Sequence, residues 1–422
     1  MPAPKPAPPS RSAPAAARTS GSAAMAVVAR SLPVILVCGC LIAVVSFGPR
    51  SAVGLFLTPM TEGRGWSRET FSLAVALQNL MWGAGQPFAG MIADRYGTGR
   101  VLVGGALLYA AALAASATTG SALVLQLTFG VLFGLALSAA SFSIVLAAFG
   151  RAVSPAKRTF AFGVGTAAGS LGQFLFPPLS IELIERLGWQ GALYTLAALV
   201  LFIVPLAAAL RGKGHPSAAG EQSIGEALTE AFGYRSYVLL TIGFFVCGFH
   251  VAFITVHLPP YIVDKGLDPR WGAWAIAFIG LFNVVGSLAA GALGQRFAKQ
   301  KSLALIYLGR SAAIALFVLA PISPGSVLVF AAAMGLLWLS TVPLTSGLIA
   351  GMFGARYMAT LFGFVFFSHQ IGAFAGVWLG GWAYDTLGSY DLFWWVAIAL
   401  GFVAAIIHWP IREVPVARLR PA

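Results

Sequence analysis

A chain of 422 residues with 59% hydrophobic and only 9% charged residues is poorly suited to water as its main solvent. Soluble domains carry about 25% charged residues, whereas this chain has a mean hydropathy of +0.86. Apolar runs of roughly 20 residues, the length that crosses a bilayer core, recur along the sequence. The pattern predicts a polytopic α-helical membrane protein and excludes a β-barrel, whose segments are short and alternating.

The net charge of +13 suggests a nucleic-acid partner, but the positions of the charges argue against one. Twelve spans are predicted, near residues 32–60, 69–92, 101–118, 121–149, 159–181, 191–210, 237–263, 271–293, 303–321, 325–351, 359–382 and 392–411. With both termini in the cytoplasm, the cytoplasmic segments hold 19 of the 26 Lys and Arg residues, and the opposite side holds five. This asymmetry is the positive-inside rule. The basic residues therefore report the topology, and no nucleic acid is expected.

The chain order suggests two bundles. Residues 1–31 are rich in Pro and Ala and predict a disordered cytoplasmic tail. A six-helix bundle follows at 32–210, a cytoplasmic linker with a short amphipathic helix at 211–236, a second six-helix bundle at 237–411, and a cytoplasmic tail at 412–422. All three cysteines fall in predicted spans, so no disulfide framework is expected.

A shift of 200 residues relates the two bundles. It pairs FGPRSAVGLFLTP (47–59) with CGFHVAFITVHLP (247–259), so that Arg50 meets His250. The same shift pairs Gly172 with Gly372, and it pairs the acidic residues 185 and 385. Two parallel six-helix halves joined by a linker are typical of transporters, whose substrate binds between the halves near the midplane.

The stretch GMIADRYGTGR (90–100) resembles the loop signature between the second and third spans of the major facilitator superfamily. The resemblance implies an all-α fold of twelve transmembrane helices in two pseudo-symmetric six-helix bundles. It also implies a conformational latch, formed by Gly90, Asp94, Arg95, Gly97 and Arg100. The copy in the second half, GALGQRFAKQK (291–301), is degenerate and has Gln295 in place of the aspartate.

A narrower resemblance covers residues 47–97, which look like bacterial members of the monocarboxylate-porter and oxalate/formate-exchanger branch. In that branch a Gly-Trp-Ser-Arg element opens the second span, as residues 65–68 do here. Animal members carry an Asp and an Arg within the eighth span. Here 271–293 contains Asn283 and no internal charge, so that proton-coupling pair has no counterpart.

Arg50 is the residue that most clearly predicts a site. It lies about 26 Å along a helix that starts near Pro33, past the midplane. A charge at this depth costs about 2.5–3.5 kcal/mol and usually faces a cavity or a partner, and no acidic residue lies deep in any predicted span. We therefore expect a water-filled cavity in which the guanidinium binds a carboxylate. The alternative is a structural Arg50 bonded to backbone carbonyls near Pro49 and Pro59. Arg310 is expected to snorkel to the cytoplasmic interface.

Three histidines in predicted spans are the candidates for proton coupling, because histidine titrates near neutral pH: His250, His257 and His369. As the repeat partner of Arg50, His250 is expected to approach the central cavity from the opposite half. Each of the three is equally compatible with a neutral side chain bonded to a neighbouring helix. No metal site is expected, since no span has a close pair of ligands. The remaining predicted substrate-binding residues are Asn79, Ser141, Gln173, Asn283, Trp338 and Gln370.

No phosphate-binding loop and no nucleophile–base pair occur, so neither an enzyme nor ATP-driven transport is expected, and no cofactor. The favoured function is a secondary active transporter of the inner membrane. It moves a small organic anion, a monocarboxylate, by alternating access, with protons as a candidate coupling ion and a monomer as the expected form. Two alternatives remain open. One is an exporter or antiporter of hydrophobic compounds that relies on the many aromatic residues, and the other is a membrane sensor without transport activity.

Overall fold

The computed structural model describes residues 1–3, 32–152, 158–211, 224–354 and 358–419. Twelve long helices run through the bundle: α1 Leu32–Arg64, α2 Arg68–Tyr96, α3 Thr98–Thr118, α4 122–152, α5 158–187, α6 189–210, α7 Arg235–Asp264, α8 Pro269–Leu293, α9 Lys299–Leu319, α10 Pro324–Phe353, α11 Met358–Leu387 and α12 Asp391–His408. The sequence predicts disorder for residues 1–31, and residues 4–31 of this segment lie outside the described residues.

The helices have the length and composition of membrane spans. Ten stretches are long and apolar enough to cross a bilayer. One of them, Val164–Leu210, contains Gly188 with a φ of 71°, and there α5 ends and α6 begins. This stretch supplies two helices, and α2 completes the twelve with 29 residues. The predicted all-α fold of twelve helices is confirmed.

The repeat is visible in how the helices pack. In the first half, a Cβ atom on Gly172 of α5 would collide with the carbonyl of Val44 on α1. In the second half, a Cβ atom on Gly372 of α11 would collide with the carbonyl of Phe245 on α7. Equivalent glycines thus permit equivalent close helix crossings, the use of small residues that membrane helices favour. One buried apolar cluster lies within the second half, and the other lies mainly in the first half and extends to Ala252, Val256, Ala373 and Val377 of the second.

Because each half has an even number of helices, both halves begin and end at the same end of the bundle. The start of α1, the helix Ile224–Phe232 and the end of α12 lie at one end, which we call the terminal end. The turns α1–α2, α5–α6, α7–α8 and α11–α12 lie at the opposite end, which we call the far end. The positive-inside rule predicts that the terminal end faces the cytoplasm.

The fourth helix of each half is interrupted at an equivalent place. Helix α4 breaks at Ala140 and Ser141, and α10 breaks at 338–340, which is the same place on the 200-residue repeat. Breaks of this kind free backbone groups that a bilayer cannot satisfy, so side chains of neighbouring helices must do so.

The terminal end carries the predicted linker helix, which forms as Ile224–Phe232. Part of the predicted C-terminal tail packs against it. Arg418 donates to the carboxylate of Glu230 at 2.9 Å and to the carbonyl of Phe353 at 3.0 Å, and Val416 is buried. Residues 412–419 thus lie along the second half.

Candidate substrate site between the halves

Arg50 ends the regular part of α1, just before a 3-10 turn begins at Val53. Its side chain is 7% exposed. Its Nη2 donates to Oδ1 of Asn79 on α2 at 2.8 Å, and Asn79 in turn donates to the carbonyl of Val75. The Nε hydrogen of Arg50 has no partner among the described residues. A buried cation is therefore held by one neutral amide and retains an unused donor, rather than being saturated by main-chain carbonyls.

A small cavity adjoins this guanidinium, and it lies between the two halves. Its lining comprises Arg50 and Val53 of α1, Val75, Gln78 and Asn79 of α2, and Ala252, Thr255 and Val256 of α7. In this conformation it has space for roughly one water molecule. Arg50 is the only ionisable side chain in this lining, and the wall from α7 is aliphatic apart from one hydroxyl.

Two aromatic rings cover the guanidinium. The Cζ atom of Arg50 lies 4.9 Å from the ring centroid of Trp82 and 5.7 Å from that of Phe47. A cation over an aromatic face gains about 0.5–2 kcal/mol, with the higher values in desolvated sites. The rings therefore compensate part of the cost of burying Arg50 and fix the plane of its guanidinium.

The membrane histidines do not line this cavity. The Nε2 atom of His250 lies 2.7 Å from the carbonyl oxygen of Ala397 on α12. The Nε2 atom of His257 lies 2.8 Å from the carbonyl of Val377 on α11. Since His250 and cavity-lining Ala252 are two residues apart, they lie about 200° apart around α7. The expected approach of His250 toward Arg50 does not hold in this conformation.

His369 lies on α11, in an aromatic setting. Its ring stacks on Phe366 at 5.4 Å between centroids, and its Nδ1 lies 3.3 Å from Oε1 of Gln370. The Nε2 of Gln370 has no partner among the described residues, and its aliphatic part packs against Gly83 of α2. Gln370 thus lies at the α2–α11 contact between the halves, whereas the His369 ring lies 5.3 Å from that of Phe244 on α7.

Other predicted site residues lie at interfaces or helix breaks. Gln173 packs against Gly280, where α5 meets α8, and its Oε1 has no described partner. Asn283 donates to Ser170 of α5 at 3.2 Å and accepts the backbone N–H of Leu339 at the α10 break, at 3.0 Å.

The breaks themselves contain two more predicted residues. Ser141, at the α4 break, accepts a hydrogen bond from Gln86 of α2 at 3.0 Å. Trp338, at the α10 break, is 2% exposed. Neither residue lines the cavity beside Arg50 in this conformation. Their part in substrate binding stays a prediction.

Arg310 corrects a sequence expectation. It does not reach the interface, because its side chain is fully buried. Its Nη2 donates to the carbonyl of Leu337 at 2.8 Å and to that of Trp338, both freed by the α10 break, and lies 3.6 Å from Sγ of Cys247. The prediction considered only depth along the helix, whereas the face that Arg310 presents to α10 decides its environment.

Charged side chains join the two halves at the far end. Arg68 of α2 forms a bidentate pair with Asp264 of α7, with both distances 2.7 Å. Asp385 of α11 accepts the backbone N–H groups of Arg68 and Glu69 at 3.2 and 2.6 Å. On the other side of the pseudo-symmetry axis, Arg270 of α8 donates to Glu185 of α5, with Nε at 3.0 Å. This conformation is therefore closed at the far end.

The predicted latch is only partly described. Gly90 lies within α2, and Gly97 takes a φ of 100° between α2 and α3, which glycine adopts without strain. Arg100 is exposed in the first turn of α3. The side chains of Asp94 and Arg95 lie outside the described residues.

The model of the Major Facilitator Superfamily matches residues 39–377, about four fifths of the chain. The chain is a member of this superfamily. It is 25% identical over 379 residues to the uncharacterized MFS-type transporter YcxA of Bacillus subtilis (strain 168), covering 85% of this chain and 90% of the relative. It is 26% identical over 358 residues to monocarboxylate transporter 11 of Homo sapiens, covering 82% of this chain and 75% of the relative.

Two solved structures share the fold. The D-xylose-proton symporter superposes with a TM-score of 0.72 at 13% identity and covers 91% of this chain and 98% of its own. The nucleoside transporter NupG gives 0.73 at 12% identity, with 90% and 100% covered. The superfamily and the relatives that share its sequence are transporters, so the expectation of a multi-pass membrane transporter rather than an enzyme is confirmed.

Sequence reasoning missed Trp82 and Gln86. The indole N–H of Trp82 donates to Oε1 of Gln86 at 3.1 Å. Asn79, Trp82 and Gln86 follow a spacing of three and four residues, which places them on one helix face. That spacing next to a charged partner on α1 is the signal that could have found them.

Proposed function

We propose that this protein is a secondary transporter of small monocarboxylates and that Arg50 binds the carboxylate. The observation that carries the proposal is the state of Arg50: a buried guanidinium at the interface of the halves, with an unpaired Nε and no acidic partner among the described residues. An arginine fork pairs well with a carboxylate. The relatives named as monocarboxylate transporters add support from sequence.

The lining favours one carboxylate over two. Arg50 is its only cation, so a second carboxylate would enter a wall made of Ala252 and Val256 without a partner. Burying an unpaired carboxylate is costly. A short apolar tail fits the α7 wall, and Thr255 offers a hydroxyl to a polar substituent.

Binding requires the site to widen. The cavity holds roughly one water molecule in this conformation, so a substrate enters when α7 moves away from α1 and α2. Because charged contacts join the halves at the far end, we expect entry from the terminal end in this state. Rocking of one half against the other around a central site is the motion expected of the fold.

The finer aspects of the function follow from the sequence. The positive-inside asymmetry supports termini in the cytoplasm and a place in the inner membrane. Proton coupling is assigned to the histidines His250, His257 and His369, of which His369 lies next to the α2–α11 contact. Transport that responds to a proton gradient in the parent protein and not in His369→Gln supports this assignment.

Binding of monocarboxylates to purified protein tests the proposal first. A ligand that binds only the folded state raises Tm by mass action. We expect acetate, lactate, pyruvate or benzoate to raise the Tm of the parent protein, and succinate to have a smaller effect. Arg50→Ala should abolish the shift, whereas Lys301→Met, at the exposed start of α9, should leave it intact. Equal shifts in the parent and Arg50→Ala proteins contradict the assignment.

A further inference from the structure

Trp82 occupies a singular position between Arg50 and the second half. One side of its indole covers the guanidinium of Arg50, with Cζ 4.9 Å from the ring centroid. It also forms an edge-to-face contact with Phe366 of α11, with centroids 5.5 Å apart and ring planes at 75°. Arg50 belongs to the first half and Phe366 to the second, so one side chain touches both the candidate site and the opposite half.

The indole is held in this place by polar contacts from its own half. Its N–H donates to Gln86 at 3.1 Å, and Gln86 donates to Ser141 at the α4 break at 3.0 Å. The carbonyl of Trp82 accepts the hydroxyl of Ser138 at 2.9 Å. None of these three bonds involves Arg50, so α2 and α4 place the ring beside the guanidinium independently of it.

The contact from the second half is also braced. Phe366 stacks on His369 with centroids 5.4 Å apart and on Phe362 at 6.4 Å. The next residue of α2, Gly83, packs against Gln370 and Phe367. Trp82 therefore lies at a tight helix crossing that must change whenever the two halves rock.

We infer that Trp82 is a positioning residue that transmits the relative placement of the halves to Arg50. With Phe366 in place, the indole is confined over the guanidinium and holds it against Asn79. When α11 moves away from α2, the edge contact is lost and the ring gains freedom, so the guanidinium presents its donors differently. The affinity of Arg50 for an anion thus depends on Phe366, which contacts Trp82 but not Arg50 itself. A differential affinity of this kind is what lets a ligand bias a conformational equilibrium.

This inference rests on the proposed function for its meaning, but its central element can be tested without a substrate. Spatial proximity alone does not demonstrate coupling, so a mutant cycle is required. Thermal unfolding is measured for Arg50→Gln, Phe366→Ala and the double variant, first in the parent protein and then in a Trp82→Leu background. Phe364→Ala, on an exposed face of the same helix, replaces Phe366→Ala as the matched control.

In the parent background we expect the Tm changes of Arg50→Gln and Phe366→Ala to be non-additive by at least about 1 °C, and additive once Trp82 is leucine. The Phe364 cycle should be additive in both backgrounds. Additive Arg50–Phe366 effects in the parent protein overturn the inference, as does non-additivity that survives Trp82→Leu. Trp82→Phe keeps an aromatic face and should keep the coupling, which guards against simple misfolding.

The anion arm separates this inference from the proposed function. With benzoate as the probe, Trp82→Leu and Phe366→Ala should each weaken binding roughly two- to thirtyfold, the range of a lost cation–π contact. If benzoate and the smaller acids fail to bind the parent protein, the proposed function fails, and the apo cycle still decides the inference. If they bind through Arg50 but Phe366→Ala leaves affinity unchanged and the cycle is additive, only the inference fails.

Discussion

Glu185 and Asp385 lie 200 residues apart, at equivalent positions of the two halves, and each contacts the first turn of the second helix of the opposite half. Asp385 accepts hydrogen bonds from the backbone N–H groups of Arg68 and Glu69, and Glu185 accepts one from the guanidinium of Arg270. The internal repeat thus produces a pair of crossed contacts that close the far end. A carboxylate at a helix start is also favoured by the helix dipole.

The bidentate pair at the far end should hold the closed conformation. Asp264→Asn removes one charge from the Arg68–Asp264 pair, whose side chains are 13% and 24% exposed. We expect a bias of roughly 1–3 kcal/mol toward a far end that is more open, the range of a hydrogen bond to a charged group. Spin labels at Leu187→Cys and Leu387→Cys, with the native cysteines replaced by serine, report this as a longer inter-label distance.

A matched control exists in the more exposed pair. Arg270 and Glu185 are 57% and 37% exposed, so solvent screens their attraction and Glu185→Gln should shift the distance distribution less. A larger effect from Glu185→Gln than from Asp264→Asn contradicts this assignment of the main far-end contact.

The pH dependence of the Glu185 pair has a definite sign. Glu185 lies beyond the apolar part of α5, and the hydrogen bond from Arg270 lowers the pKa of its carboxyl group. A lowered pKa means that the contribution to closure is fully present above the ordinary glutamate pKa of about 4.3 and is lost only as the pH falls through the lowered value. The label distances should therefore show no Glu185-dependent change between about pH 5 and 8. A transition in that window that disappears in Glu185→Gln contradicts the prediction.

The close crossing of α1 and α5 should not tolerate a methyl group. In Gly172→Ala the new Cβ meets the carbonyl of Val44, so helices must separate, and we expect a loss of roughly 1–3 kcal/mol. Gly169→Ala is the control on the same helix, since its Cβ meets no described atom within 4 Å and alanine favours helix by about 1 kcal/mol. Thermal unfolding should show a lower Tm for the first variant and an equal or higher Tm for the second.

Arg310 should be a structural cation of the second half. Arg310→Met leaves the carbonyls of Leu337 and Trp338 without their donor, which costs about 1–3 kcal/mol for each unsatisfied group. Lys301→Met, at the exposed start of the same helix, removes a cation without such contacts and should be neutral. A stable Arg310→Met protein with an unchanged Tm shows that the α10 break needs no guanidinium.

The fold was largely predictable, because apolar run length and the 200-residue repeat are properties of the sequence itself. The spans, the linker helix and the pairing of Glu185 with Asp385 follow from these patterns. The breaks in α4 and α10 were not predicted. The α4 break lies at Ala140 and Ser141, neither of which is a helix-breaking residue. At the α10 break, the proline nearest in sequence is Pro343, which lies just beyond the break.

The site was predictable only in part, since a one-dimensional pattern gives depth but not direction. Depth singled out Arg50, which the structure places at 7% exposure beside a small cavity between the halves. Its role in substrate binding stays a prediction. Depth gave the wrong environment for Arg310, and the repeat wrongly suggested that His250 faces Arg50, because the rotation of α7 and α9 about their axes is set by packing. Trp82 resembles any other apolar residue in a membrane helix until its neighbours are known.

Counterflow of labelled monocarboxylate in proteoliposomes tests the central claim most directly. Vesicles loaded with unlabelled lactate or pyruvate should accumulate the labelled acid when they contain the parent protein, retain part of that activity with Arg50→Lys, and lose it with Arg50→Ala. Lys301→Met vesicles should match the parent. Counterflow by Arg50→Ala at the parent rate would contradict the account, because the carboxylate would then be recognised elsewhere.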